Sequence, residues 1–135
     1  QIVSYKWKSL HRNEKGKRLC LFLFGTGGYC ALGVRTGEPA GIVVAGGEEK
    51  ALAASMAGYI AISPLTGETA LDDGLVQWLC EKPATVILCN DHDKTGSDAN
   101  LESAKALRQA GFPGEDLHII AWPDGFSEKG DDGAA

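Results

Sequence analysis

The sequence predicts an α/β domain with a mainly parallel sheet. From residue 41 onward, short apolar runs alternate with segments of helical spacing, and this alternation favours parallel strands covered by helices. Glycine is frequent, at 18 of 135 residues, and supplies turns between the elements. A chain of this length with 44% hydrophobic residues can bury one sizeable core.

Residues 1–40 predict a small antiparallel β segment that precedes this domain. Residues 18–24 and 29–34 are expected to form a hairpin, and residues 4–10 to add a third strand. The basic residues of this segment are by default interpreted as the solvated surface of a hairpin. The functional alternative is that they line a path for nucleic acid. These residues are Lys6, Lys8, His11, Arg12, Lys15, Lys17 and Arg18.

Residues 41–135 predict four strands and three helices, hence a four-stranded, mainly parallel sheet with helices on both faces. The strands are expected at 41–45, 59–63, 85–90 and 117–121. The helices are expected at 48–58, 71–81 and 98–110, ending near Gly58, Pro83 and Gly111. Helical spacing directs these side chains to the core: Ala51, Leu52, Met56, Leu75, Val76, Leu79, Leu101, Ala104 and Leu107.

Charge and cysteine usage restrict the class of protein. A net charge of −5 argues mildly against stand-alone nucleic-acid binding. The four cysteines lack CxxC spacing and lie in or beside apolar segments, so we expect a reducing, cytoplasmic compartment without disulfides or a zinc site. No apolar run has transmembrane length, so no membrane is expected as a partner. The chain starts at Gln1, and we expect it to be a piece of a longer protein.

The most informative feature is the acidic pair Asp91 and Asp93, which follows the apolar run at 84–90. Side chains at positions i and i+2 of an extended chain point to the same face. Two carboxylates so close together raise each other's pKa unless a cation compensates their charge. Carboxylate oxygens are hard ligands, which suit Mg²⁺. The alternative is a solvated acidic turn. In a parallel sheet the pair would share the ligand-binding edge with Gly46-Gly47, which follows an earlier strand.

Four segments resemble, in order and spacing, the Toprim domain, the catalytic module shared by bacterial-type primases and topoisomerases. Residues 42–52 resemble its first motif, an apolar strand, a Glu-Gly pair and a helix with Ala-Leu. Residues 90–96 resemble the second motif, a strand ending in Asp-x-Asp with Gly three residues on. Residues 59–67 are similar to the strand and Gly-containing loop of primases, and residues 129–132 to the tail motif of phage- and plasmid-type primases.

The resemblance implies a primase-like replication protein of a phage, plasmid or other mobile element, acting by nucleotidyl transfer. Asp91 and Asp93 would bind Mg²⁺ or Mn²⁺, and Asp131 and Asp132 would either extend the metal site or belong to a disordered acidic tail. The implied partners are nucleotides, a single-stranded DNA template and a helicase in the same chain or complex.

The chain departs from the family pattern at one position. Gly46 stands where the motif has its Glu, the residue that the resemblance would assign as general acid/base. Glu48 and Glu49 follow in the first helical turn and are possible substitutes, but the helix dipole explains acids there equally well. Asp98 is expected to cap the third helix or to interact with its dipole, rather than to bind a ligand. Losing a proton-transfer group typically costs about 10²–10⁴-fold in rate.

Two alternatives remain open at this point. The first is a Toprim-like module that binds metal and nucleic acid but has lost catalysis, as Gly46 indicates. The second is a haloacid-dehalogenase-like phosphatase, because residues 91–95 fit the Asp-x-Asp-x-Thr motif with Asp91 as nucleophile. Lys129 and residues 130–132 are similar to the later motifs of that family. Only about 35 residues separate them from residues 91–95, which leaves little room for the βα units such a site needs.

Overall fold

The computed structural model describes residues 6–16, 18–22, 29–34, 37–64, 70–123 and 125. The strands are β1 (Lys6–Arg12), β2 (Arg18–Phe22), β3 (Tyr29–Leu32), β4 (Ile42–Ala45), β5 (Ile60–Pro64), β6 (Val86–Cys89) and β7 (Leu117–Ile119). The helices are α1 (Glu48–Met56), α2 (Asp73–Cys80) and α3 (Lys94–Gln109), and a short 3-10 turn at Gly114–Asp116 precedes β7.

The predicted α/β class is confirmed, with one strand more than expected in the main sheet. Its order is β3-β5-β4-β6-β7, in which β5, β4, β6 and β7 are parallel and β3 is an antiparallel edge. The predicted hairpin of β2 with β3 is wrong, because β3 pairs with β5 of the main sheet. The strand expected at residues 4–10 is confirmed as β1, which pairs with β2 across the turn at residues 13–16. Tyr29 of β3 instead packs against the main core and donates a hydrogen bond from its hydroxyl to Asp72 at 2.8 Å.

The connections make this a doubly wound sheet. The chain passes from β4 to β5 through α1, then crosses back over β4 to reach β6 through α2. Right-handed crossovers in opposite directions put α1 on one face and α2 and α3 on the other. In the folded chain α1 packs on β3, β4 and β5, whereas α3 packs on β6, β7 and α2. The direction of winding therefore reverses between β4 and β6.

Burial confirms part of the predicted core and corrects the rest. Ala51, Val76, Leu79 and Leu107 are buried, and Leu75 and Ala104 are partly buried against the core. Three predicted core residues are exposed instead: Leu52, Met56 and Leu101, at 53%, 76% and 53%. The buried residues of the two helices that carry them are mostly small or polar: Ala51 in α1, and Gly96, Ala99, Asn100 and Ser103 beside Leu107 in α3. Apolar spacing therefore included large side chains that the helices leave at the surface.

Two further features complete the description. Within the described part of the chain, none of the helices has the length and hydrophobicity of a membrane-spanning segment. Cys30, Cys80 and Cys89, the cysteines whose side chains the structure describes, form no disulfide with one another.

Candidate functional site

The candidate site lies where β4 and β6 end side by side. These strands pair in parallel register up to Ala45 and Cys89, and the amide of Gly46 then donates to the Cys89 carbonyl at 3.3 Å. The Gly46-Gly47 turn and the loop at 90–93 therefore begin next to each other. In doubly wound sheets, ligands bind at the carboxyl ends of the strands where the winding reverses, which is this place.

Asp91 pairs with a lysine that the sequence analysis did not single out. The Lys50 ammonium forms a salt bridge with Asp91 Oδ1 and donates to the Gly46 carbonyl at 3.1 Å. The Asp91 side chain is only 11% exposed, and that of Lys50 is 32% exposed. A positive charge thus lies between a carboxylate that follows β6 and a carbonyl that follows β4. The available signal was the basic residue in the segment resembling the first Toprim motif.

Asp93 has a structural task as well as a candidate functional one. It is the N-cap of α3, and its Oδ1 accepts a hydrogen bond from the Gly96 amide at 2.7 Å. The predicted cap, Asp98, is wrong: it lies inside α3 and accepts from the Lys94 ammonium at 2.6 Å. Because β6 ends at Cys89 and the chain bends at residues 92–93, strand alternation does not place the two carboxylates.

Gly96 brings α3 into direct contact with the backbone of Asp91. A Cβ atom at position 96 would lie 2.2 Å from the Asp91 carbonyl oxygen and 2.7 Å from its amide nitrogen. Real Cβ atoms do not approach backbone atoms this closely, so any side chain would force the loop away from the helix. The position of Asp91 therefore depends on the absence of a side chain at position 96.

Buried polar contacts fix both loops of the site. Asn90 and Asn100, each 4% exposed, are joined by a hydrogen bond from Asn90 Nδ2 to Asn100 Oδ1 at 2.9 Å. The backbone amide of Asn90 also donates to Asn100 Oδ1, at 3.3 Å. On the other side, the fully buried Ser63 hydroxyl accepts from the Gly47 amide at 3.0 Å. Satisfied buried polar groups of this kind hold a loop in one conformation.

The two candidate substitutes for the missing Glu lie in the first turn of α1. Burial and then the negative charge of Glu48 raise the pKa of the Cys30 thiol, so the Glu48 carboxylate lies near β3. In the sheet order, β3 is on the other side of β4 from β6, which carries Asp91. Glu49 is exposed. The structure therefore brings Lys50 to Asp91, whereas the Glu48 carboxylate is near enough to Cys30 of β3 to raise the pKa of its thiol.

Two aromatic side chains lie beside the acidic residues. His92, between Asp91 and Asp93 in the chain, contacts Trp122 with ring centroids 5.5 Å apart and an interplanar angle of 35°. Both residues are partly buried. Trp122, which follows β7, was not singled out from the sequence. Asp131 and Asp132 lie outside the described residues.

Asp91 and Asp93 supply carboxylate oxygens, the type of donor that a hard divalent cation takes. Among the described residues, no group of three or more His, Cys, Asp or Glu side chains could hold a metal ion. Mg²⁺, however, is commonly bound through one or two carboxylates, with water and substrate phosphates as the other ligands. Asp91 and Asp93 are two such carboxylates, and the Lys50 ammonium already occupies a position between two oxygens. The site thus accepts positive charge.

Comparisons of the chain with protein-family profiles, with curated proteins and with solved structures find no match. The resemblance to Toprim domains therefore stays a prediction from the residues themselves.

Proposed function

We propose that this chain is a Toprim-like domain of a cytoplasmic, primase-like DNA replication protein, which binds Mg²⁺ or Mn²⁺ together with the phosphates of nucleotides or DNA. One observation carries the proposal. Asp91, a mostly buried carboxylate at the winding reversal, is paired with a cation that also contacts the neighbouring strand's Gly46 carbonyl. A carboxylate held in this way binds positive charge where such folds bind their ligands.

Asp91 and Asp93 are the residues that would hold the metal ion. When bound, a divalent ion neutralises charge on phosphoryl oxygens and orients the phosphate. The helix α3 begins at this edge with no acidic residue in its first turn, so the positive end of its dipole favours an anion there. The first turn of α1 already contains Glu48 and Glu49. The protein would thus contribute two carboxylates for the cation and the start of α3 for the phosphate.

Proton transfer is the weak part of the site. Gly46 has no side chain, and the nearby Lys50 is committed to Asp91 and the Gly46 carbonyl. We therefore expect binding of metal and phosphate with slow turnover, since a missing general acid/base typically lowers rates by about 10²–10⁴-fold.

The test is metal-dependent binding of a nucleoside triphosphate, measured by calorimetry, together with primer synthesis on single-stranded DNA by the longer natural protein. Asp91→Asn is expected to weaken Mg²⁺-dependent binding at least tenfold and to abolish synthesis. The matched control is Asp98→Asn, which removes an exposed carboxylate paired with Lys94 on α3 and should change neither. Wild-type binding and synthesis in Asp91→Asn would rule out the assigned role.

A second candidate, a Toprim-like module without catalysis, is favoured by Gly46. It predicts Mg²⁺-dependent binding without primer synthesis, and Gly46→Glu is the companion variant. If that substitution produces synthesis that EDTA abolishes, the site retains everything except the missing carboxylate. Covalent trapping of an aspartyl-phosphate analogue on Asp91 with beryllofluoride would instead support the phosphatase interpretation.

A further inference from the structure

The aromatic pair at the site stands next to the residues proposed to bind metal and phosphate. His92 is the chain neighbour of both Asp91 and Asp93, and consecutive Cα atoms are about 3.8 Å apart. Its ring contacts that of Trp122 at 5.5 Å between centroids. The contact joins the loop after β6 to the segment after β7, so it lies at the carboxyl edge of the sheet.

The backbone on both sides of this contact is held in place. Beyond β7, the Ile120 amide donates to the Leu88 carbonyl of β6 at 3.0 Å, which ties the segment leading to Trp122 to the sheet. On the other side, His92 is flanked by Asp91, which pairs with Lys50, and by Asp93, which caps α3. The rings are tilted by 35° and partly exposed, so they do not cover each other fully.

We propose that Trp122, supported by His92, is a stacking subsite for a nucleobase, so that the site binds nucleotides more tightly than bare phosphates. The inference rests on the proposed phosphate site, because it needs a phosphate bound near Asp91 and Asp93. Aromatic rings next to a phosphate site can bind any base, since each base has a stacking face, and loss of such stacking typically weakens binding about tenfold.

The chain contains a matched control, a second partly exposed tryptophan near the amino ends of the parallel strands. Trp78 lies in α2, and the Lys82 ammonium stands 4.8 Å from the centre of its ring. It lines a cavity with Pro39 and Gly41, which precede β4. Trp78 has the exposure that stacking requires but lies away from the acidic pair, so it separates a local effect from a general one.

The experiment compares deoxythymidine triphosphate with tripolyphosphate, each titrated calorimetrically with Mg²⁺ into the wild type and into Trp122→Leu, Trp122→Phe and Trp78→Leu. We expect the wild type to bind the nucleotide about tenfold more tightly than tripolyphosphate. Trp122→Leu should remove that difference and leave tripolyphosphate binding unchanged. Trp122→Phe should keep most of it, and Trp78→Leu all of it.

Each failure has a distinct signature. Equal affinity of the wild type for the two ligands overturns the stacking subsite and leaves the phosphate site standing. An equal loss for both ligands in Trp122→Leu would make Trp122 a structural residue. If neither ligand binds the wild type, the proposed function fails and the subsite falls with it. Nucleotide binding that depends on Trp122 but not on Mg²⁺ or Asp91 would support the stacking subsite and contradict the proposed metal site. If Trp122→Leu does not fold, the wild-type ratio and Trp122→Phe decide.

Discussion

The two ends of the central strands β4 and β6 differ in chemistry although they belong to the same sheet. At the carboxyl ends a lysine, Lys50, pairs with the carboxylate of Asp91. At the amino ends a lysine, Lys82, lies over the ring of Trp78, beside an apolar cavity of about 330 Å³. This cavity therefore lies away from the acidic pair.

The backbone explains this difference. At the amino ends the two backbone segments pack directly against each other. The Ile42 amide donates to the Thr85 carbonyl at 2.8 Å, and a Cβ atom on Gly41 would lie 2.9 Å from that oxygen. At the carboxyl ends two helices begin, and the charged side chains of Lys50 in α1 and Asp91 in the loop before α3 meet there. Convergent polar groups therefore identify the candidate site better than empty volume does.

The largest expected effect on stability comes from adding a methyl group at a glycine near either end of the central strands. Gly96→Ala and Gly41→Ala should each lower the free energy of unfolding by about 3 kcal/mol, because both force a backbone contact apart. Gly74→Ala, in the first turn of α2, is the control and should cost nothing, since its Cβ would meet its nearest atom at 3.5 Å. Urea unfolding measures all three.

Metal binding separates these two destabilised variants. Gly96→Ala displaces Asp91, so its Mg²⁺ affinity, measured at a temperature where it is folded, should fall. Gly41→Ala should keep the wild-type affinity. Equal affinities in both would contradict the link between α3 and the acidic pair.

The next effect concerns the buried amide pair. Asn100→Ala leaves the Nδ2 group and the backbone amide of Asn90 without their acceptor, which should cost about 2 kcal/mol of unfolding free energy. Gln109→Ala, exposed on the same helix, serves as control and should stay within about 0.5 kcal/mol of the wild type. A loss no larger than that of the control would show that water replaces Asn100.

A smaller effect is expected at the two lysines that define the comparison. Lys50→Met removes the ammonium that competes with a divalent ion for Asp91, so Mg²⁺ affinity should rise about fivefold, the equivalent of a partly exposed ion pair. Lys82→Met makes the same change in charge at the amino edge and should leave affinity unchanged. Weaker Mg²⁺ binding in Lys50→Met would mean that the lysine supports the site.

The smallest effect is a pH dependence at Asp72, the N-cap of α2. Hydrogen bonds from the Leu75 amide and then from the Tyr29 hydroxyl hold its pKa below the ordinary 3.8. The ionised carboxylate therefore stabilises the fold above that value, and the contribution is lost as pH falls through the folded-state pKa. Asp72→Asn, which preserves a capping side chain, should lower Tm slightly at pH 7 and not at all in strong acid. A pH-independent difference would contradict this linkage.

The sequence was most informative where local chemistry decides. The strands near 42–45 and 86–89 were predicted because they are apolar runs bounded by Gly, Pro or Asp, and their carboxyl ends located the candidate site. The start of α3 was misplaced because Asp93 and Asp98 are both suitable caps, and geometry selects between them. Spacing alone could not tell which of the two begins the helix.

Other features depend on contacts that local patterns do not contain. The pairing of Lys50 with Asp91 follows from the parallel register of β4 and β6, and neighbouring residues do not encode that register. Likewise, β3 could have paired with β2, and its place beside β5 is a tertiary choice. Leu52 and Leu101 were assigned to the core from their apolar spacing. They are exposed because small inward residues permit each helix to lie close to the sheet, an outcome that spacing does not reveal.

The contact at Gly96 has a consequence for how the second motif is used as a marker. The atoms that exclude a side chain at position 96 are the main-chain oxygen and nitrogen of residue 91, which every amino acid has. Selection for folding alone would thus preserve this glycine in a descendant whose acidic pair had mutated away. A profile that rewards the glycine detects the architecture of the loop and helix, whereas the identities at positions 46, 50, 91 and 93 bear on the proposed chemistry.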